Sequence, residues 1–140
     1  MPTDIAPDLP PWLAHQMPLT RASWRFDRGA ESGRRLHYID HGTPDGRVVW
    51  LQHGNPTWSF LWRKVITQLD PTRFRCIAPD MLGLGLSSKL PRVEDHSLDR
   101  HVAAMTTLLE GLDLRDIIFV GQDWGGPLVA GLGANAPERV

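Results

Sequence analysis

Three short apolar runs constrain this chain more than any other feature: Val48-Val49-Trp50-Leu51, Phe74-Arg75-Cys76-Ile77-Ala78 and Ile117-Ile118-Phe119-Val120. Each is too short for a helix and is stopped by a turn residue, in "VVWLQHG", "FRCIAPD" and "DIIFVG". Runs of this kind read as buried strands. The segments between them carry helical spacing. In "FLWRKVITQLD", Leu61, Trp62, Val65, Ile66 and Leu69 fall on one face. In "SLDRHVAAMTTLLEGLDL", Leu98, Val102, Met105, Leu109 and Leu112 do the same, with Ser97 as N-cap and Gly111 marking the end. "PLVAGLGANAPERV" opens a further helix with Pro127 in its first turn. Ahead of all this, "SWRFDRG" and "RRLHYIDHG" flank the turn-like "AESG" and predict a hairpin. Hairpin, strand, helix, strand, helix, strand, helix is the order of an α/β fold. It predicts a mostly parallel sheet with helices on both faces.

Ligands of such sheets bind beyond the carboxyl ends of the strands. Three stretches fall there: "HGNPTW", "DMLGLGLSS" and "GQDWGG". In the last, Gly121 and Gly125 stand two residues before and two after Asp123. Small residues at those positions relieve the crowding of a sharp strand-to-helix corner, the nucleophile-elbow pattern with Asp in place of Ser. The helix beyond the corner points N–H groups and its positive end at the carboxylate, which keeps it ionised. The plainer alternative is that Asp123 only caps that helix. "HGNPTW" makes a tight loop beside the corner. The backbone N–H groups of Asn55 and Trp124 would then form an oxyanion hole. His53, inside the His-Gly turn, reads as structural. "DMLGLGLSS" matches a dinucleotide fingerprint only in part, so Asp80, Gly83 and Gly85 read as loop-shaping residues.

Together, "HGNPTWSFLWR", "APDMLGLGLSS" and "GQDWGG" resemble the haloalkane dehalogenases of the α/β-hydrolase superfamily, over roughly Arg35 to Val140. The resemblance implies the N-terminal portion of an α/β-hydrolase fold, with Asp123 as the nucleophile. Asp123 would displace halide from carbon to give an alkyl ester. The indole of Trp124 and the amide of Asn55 would bind the leaving halide. Hydrolysis of the ester would follow, with substrate haloalkane, water and halide as the small molecules involved. No cofactor and no metal is implied. Epoxide hydrolases share the Asp elbow and the His-Gly-X-Pro loop, though they usually carry an aromatic at the position of Asn55, and remain an alternative.

In that family the base histidine, its carboxylate and a helical cap come later in the chain. The expected organisation is an N-terminal arm over residues 1–21 and the first part of a hydrolase core over 22–140. The C-terminal remainder could be supplied as a second chain. A non-catalytic fragment that binds such a partner is the remaining reading.

Composition narrows the partners. Fifteen Lys and Arg against 16 Asp and Glu give a net charge of -1, without the basic excess of a nucleic-acid binder. No apolar stretch approaches a membrane span. One cysteine, Cys76, excludes an internal disulfide, and no secretory signal is visible at the N-terminus, so a cytoplasmic location is expected. Of the six tryptophans, Trp50 and Trp62 read as core, Trp12 as an anchor for the arm, and Trp58 as either pocket lining or packing.

Overall fold

A computed structural model describes residues 3–140; residues 1–2 of the expected arm lie outside the described residues. Six strands form a single sheet: β1 (Thr3–Ile5), β2 (Arg21–Arg25), β3 (Arg35–Gly42), β4 (Arg47–Gln52), β5 (Phe74–Pro79) and β6 (Ile118–Gly121). Their spatial order is β1-β2-β3-β5-β4-β6. β4 pairs in parallel with both β5 and β6, while β1, β2, β3 and β5 join one another antiparallel. The predicted hairpin is β2 and β3, in register from Arg21↔Ile39 to Arg25↔Arg35.

Alternation along each strand builds two cores. Val48, Trp50 and Ile77 point to one face, where they meet α3 (Leu98–Gly111) and α4 (Gly125–Asn135) through Met105, Leu108, Leu109, Leu128 and Leu132. Val49, Leu51, Cys76 and Ala78 point to the other, against Trp62 and Ile66 of the α2 (Arg63–Gln68) region. Period-two patterning with both sets apolar is what a sheet covered on both faces requires. Ser97 caps α3 as expected, accepting from the Arg100 N–H at 3.1 Å.

Four details differ from expectation. The stretch "FLWRKVITQLD" starts as a 3₁₀ turn, Ser59–Trp62, before α2, so only Trp62 and Ile66 are buried, whereas Leu61 and Val65 face outward. Leu98 is also outward, at the first turn of α3. The run at β6 is an edge strand, with Ile118 40% exposed, because only β4 pairs with it among the described residues. The N-terminal stretch is not merely extended. Thr3–Ile5 adds an edge strand, Pro11–Ala14 forms the short helix α1, and Met17 and Leu19 enter the second core. Trp12 does not anchor it: this side chain is 68% exposed. No helix among the described residues is long and apolar enough to cross a membrane.

The chain runs from β4 to β5 on one side and then returns to β6 on the other. β4 is therefore a switch point, and the loops leaving β4 and β6 open side by side into one crevice.

Candidate functional site

Asp123 occupies the corner between β6 and α4 with φ of 57°, in the left-handed region that a β-carbon disfavours. The surrounding glycines show why the chain can turn there. A β-carbon on Gly121 would lie 2.7 Å from the backbone of Gly125 and Gly126. One on Gly125 would run into the Gln52 carbonyl, and one on Gly54 would lie 2.5 Å from Cβ of Asp123. These three positions admit nothing larger than glycine. Gly126 is different: no atom lies within 4 Å of where its β-carbon would stand.

The two loops are stitched together. The Gln122 N–H donates to the Gln52 carbonyl at 3.1 Å, and the Gly54 N–H donates to Oε1 of Gln122 at 3.2 Å. Next along the chain, the Asn55 N–H donates to Oδ2 of Asp123 at 3.2 Å. The Trp124 and Asn55 backbone N–H groups hold the Asp123 carboxyl below its ordinary range. The N-cap position of α4 is Trp124, whose side chain makes no capping hydrogen bond.

Asn55 and Trp124 line a common cavity of about 630 Å³, together with Met81, Leu82, Leu84 and Leu90. The indole of Trp124 is 55% exposed, so its side chain is not held by packing. Trp58 resolves as packing: it stacks on Phe60 at 5.6 Å between ring centroids and joins the second core.

His53 is wholly buried. Its Nδ1 donates to the Gly54 carbonyl at 2.7 Å, and its Nε2 accepts from the Met81 N–H at 2.9 Å. Burial pushes its pKa down. Both ring nitrogens are spent on joining two loops, which is the structural role expected of it.

Two histidine clusters were not visible in the sequence. The first is buried His37, whose Nδ1 lies 2.8 Å from Oδ2 of Asp80, with the Arg21 guanidinium 3.1 Å from its Nε2. Arginine can only donate, so Nε2 of His37 accepts from Arg21 and its Nδ1–H donates to Asp80. Asp80 also accepts from the Ser59 and Leu86 N–H groups at 2.7 and 2.9 Å. Burial alone would push Asp80 up, but the hydrogen bonds from His37, Leu86 and Ser59 outweigh it and leave the carboxyl below its usual range. Asp80 is thus the hub of the 80–88 loop, and Gly85 is glycine because a β-carbon there would strike the Asp80 carboxylate. The second cluster pairs His96 with His101 on the cavity wall, Nδ1 to Nε2 at 3.0 Å. An aspartate directly after an apolar strand was the one available signal for the first cluster. Nothing local signals either pairing.

The comparisons with known proteins agree with this geometry. A profile of the α/β hydrolase fold matches residues 47–140. The haloalkane dehalogenase of Mycolicibacterium paratuberculosis is 39% identical over 130 residues, covering 93% of this chain and 41% of that protein. Haloalkane dehalogenase 2 of Mycobacterium tuberculosis is 43% identical over 106 residues, covering 76% of this chain and 36% of that protein. Among solved structures, the haloalkane dehalogenase DpaA from Paraglaciecola agarilytica superposes with a TM-score of 0.83 at 31% identity, over 99% of this chain and 46% of that one. The chain spans about two fifths of the length of the curated relatives it matches. With its elbow-like corner, its switch-point crevice and these relatives, the chain belongs to the α/β-hydrolase fold family and within it sides with the haloalkane dehalogenases.

Proposed function

We propose that the protein of which this chain forms part hydrolyses carbon–halogen bonds, giving alcohol and halide, with Asp123 as the nucleophile. The observation that carries the reading is the Asp123 corner. A carboxylate is held in strained backbone geometry, below its ordinary pKa range, beside a cavity shared by Asn55 and Trp124.

The chemistry follows from that arrangement. Oδ2 is engaged by the Asn55 N–H, which leaves Oδ1 free to attack. Oδ1 forms a bond to the substrate carbon in line, and the carbon–halogen pair of electrons leaves with the halide. The Trp124 indole N–H and the Asn55 side-chain amide stabilise the departing anion as neutral donors, without pairing with Asp123. In the second half, water attacks Cγ of the ester. Negative charge then collects on Oδ2, where the Asn55 N–H already points, beside the Trp124 N–H that also bonds the carboxyl. The ester bond breaks and the alcohol leaves with a proton, while Asp123 returns to carboxylate.

This second half needs a base to take the proton from water. No histidine among the described residues hydrogen-bonds to Asp123: His37, His53, His96 and His101 are committed elsewhere, and His41 accepts from the Thr20 N–H at 3.3 Å. We assign the base, and the carboxylate that orients it, to sequence beyond these residues, on the same or a second chain. Halide release from a short bromoalkane, with and without Asp123→Ala, tests the reading. Release that survives the substitution overturns it.

A further inference from the structure

The His96–His101 pair has no part in the reaction above, yet it stands on the wall of the same cavity as Asn55 and Trp124. Its neighbours there are mainly apolar: Leu82, Leu84, Leu90, Val93 and Leu98. The other polar side chains on that stretch are occupied. Ser97 caps α3, and Arg92 is bound to Asp95 at 3.1 Å.

His96 is held in place from two sides. Its ring lies over Gly83, where φ is 89° and a β-carbon would stand 2.5 Å from Cε1 of His96. On the other side its Nδ1 meets Nε2 of His101 at 3.0 Å, with the ring centroids 5.2 Å apart. This gives Gly83 a specific purpose: it clears space for an imidazole.

The proton positions follow from burial. His101 is 5% exposed, and its Nδ1 is buried with no partner. Burial, then the nearby His96 and Arg100, push its pKa down to about 4, so it is neutral at neutral pH. An orphaned buried N–H is rarer than an under-satisfied acceptor. His101 therefore carries its proton on Nε2 and donates it to Nδ1 of His96. With its Nδ1 accepting, the exposed His96 carries its N–H on Nε2, the other ring nitrogen. No acceptor for that N–H is found among the described residues.

We propose that His96 is a specificity-determining residue, its Nε2–H serving as a preset hydrogen-bond donor that selects ligands bearing an acceptor, such as a hydroxyl or ether oxygen, on the end away from the reacting carbon. Resting on the dehalogenase reading, this makes the preferred substrates haloalkanes with a polar distal group rather than plain ones.

Binding can be measured apart from turnover. Calorimetric titration of the purified protein with hexanol and with hexanediol compares a product-like alcohol with and without the distal acceptor. The wild type should prefer the diol by roughly three- to tenfold, the range of one net neutral hydrogen bond. His96→Phe keeps an aromatic ring over Gly83 and should bring the preference close to one, with hexanol affinity within about twofold of wild type. A melting curve on the same sample checks that the variant is folded. A diol preference that persists in His96→Phe, or is absent from the wild type, overturns the inference. Bromide release, measured separately, distinguishes the two readings: failure to release bromide counts against the dehalogenase alone, and loss of the diol preference against His96 alone.

Discussion

The Asn55 N–H and Oδ2 of Asp123 are 3.2 Å apart, although 68 residues separate them in the chain. This bond ties the loop after β4 to the corner after β6, and it reaches the carboxylate that the proposed chemistry uses. Because the Trp124 and Asn55 N–H groups both lower its pKa, Asp123 stays ionised below the ordinary carboxylate range. Alkyl-ester formation should therefore be flat from neutral pH down past about 4 and fall only below that. Single-turnover rates across that range check it. A fall centred at pH 5 or above would mean that another group controls the attack.

The corner also carries a stability cost that substitution can expose. Asp123 is a non-glycine residue at φ of 57°, a conformation that costs an ordinary residue roughly 1–2 kcal/mol. Asp123→Gly should melt higher than Asp123→Ala by a difference of about that size, while both lose the nucleophile. Equal melting temperatures for the two would show that the corner is unstrained.

Glycines around the corner should divide sharply. Gly125→Ala forces a β-carbon into the Gln52 carbonyl and should destabilise by roughly 1–3 kcal/mol or more. Gly126→Ala meets nothing and lies in the first turn of α4, so it should be neutral or stabilising by up to about 1 kcal/mol. Chemical denaturation of both variants provides the comparison.

The sequence carried this glycine pattern and the three strands because both are local signals: a spacing of two residues and a short apolar run. Other features depend on partners that no local pattern names. "FRCIAPD" lies between β3 and β4 in space although it follows both in the chain. Thr3–Ile5 is too short to show a period. His37 and Asp80 are 43 residues apart, and neither residue alone reveals the pair. The outward positions of Leu61 and Val65 come from a 3₁₀ start that shifts the helical phase.

Acid stability should report on the buried histidines. The folded pKa of His101 is about 4, below the ordinary 6.5, through burial first and then the nearby His96 and Arg100, with Glu31 opposing. A lowered histidine pKa means that the unfolded chain binds more protons between those values. Stability is then fully present above about pH 6.5 and is lost as pH falls toward 4. His53 acts in the same direction. Melting temperature should drop between pH 7 and pH 4.5, and His101→Phe should flatten part of that drop. An unchanged slope in the variant would remove His101 from the account.

Trp124→Phe separates halide binding from packing. The side chain is 55% exposed, so stability should change by no more than about 0.5 kcal/mol. Loss of one neutral donor to the leaving halide should slow ester formation by roughly ten- to a hundredfold, somewhat less than loss of an oxyanion-hole donor. An unaltered rate would leave the indole without a role.

The most direct test of the central claim is intact-protein and peptide mass spectrometry after exposure to a short bromoalkane, with bromide counted in the same sample. The account predicts an alkyl adduct on the peptide containing Asp123, with one bromide released per adduct where no base is present to hydrolyse it. Asp123→Ala should give neither. An adduct on another residue, or bromide released from the Asp123→Ala protein, would contradict it.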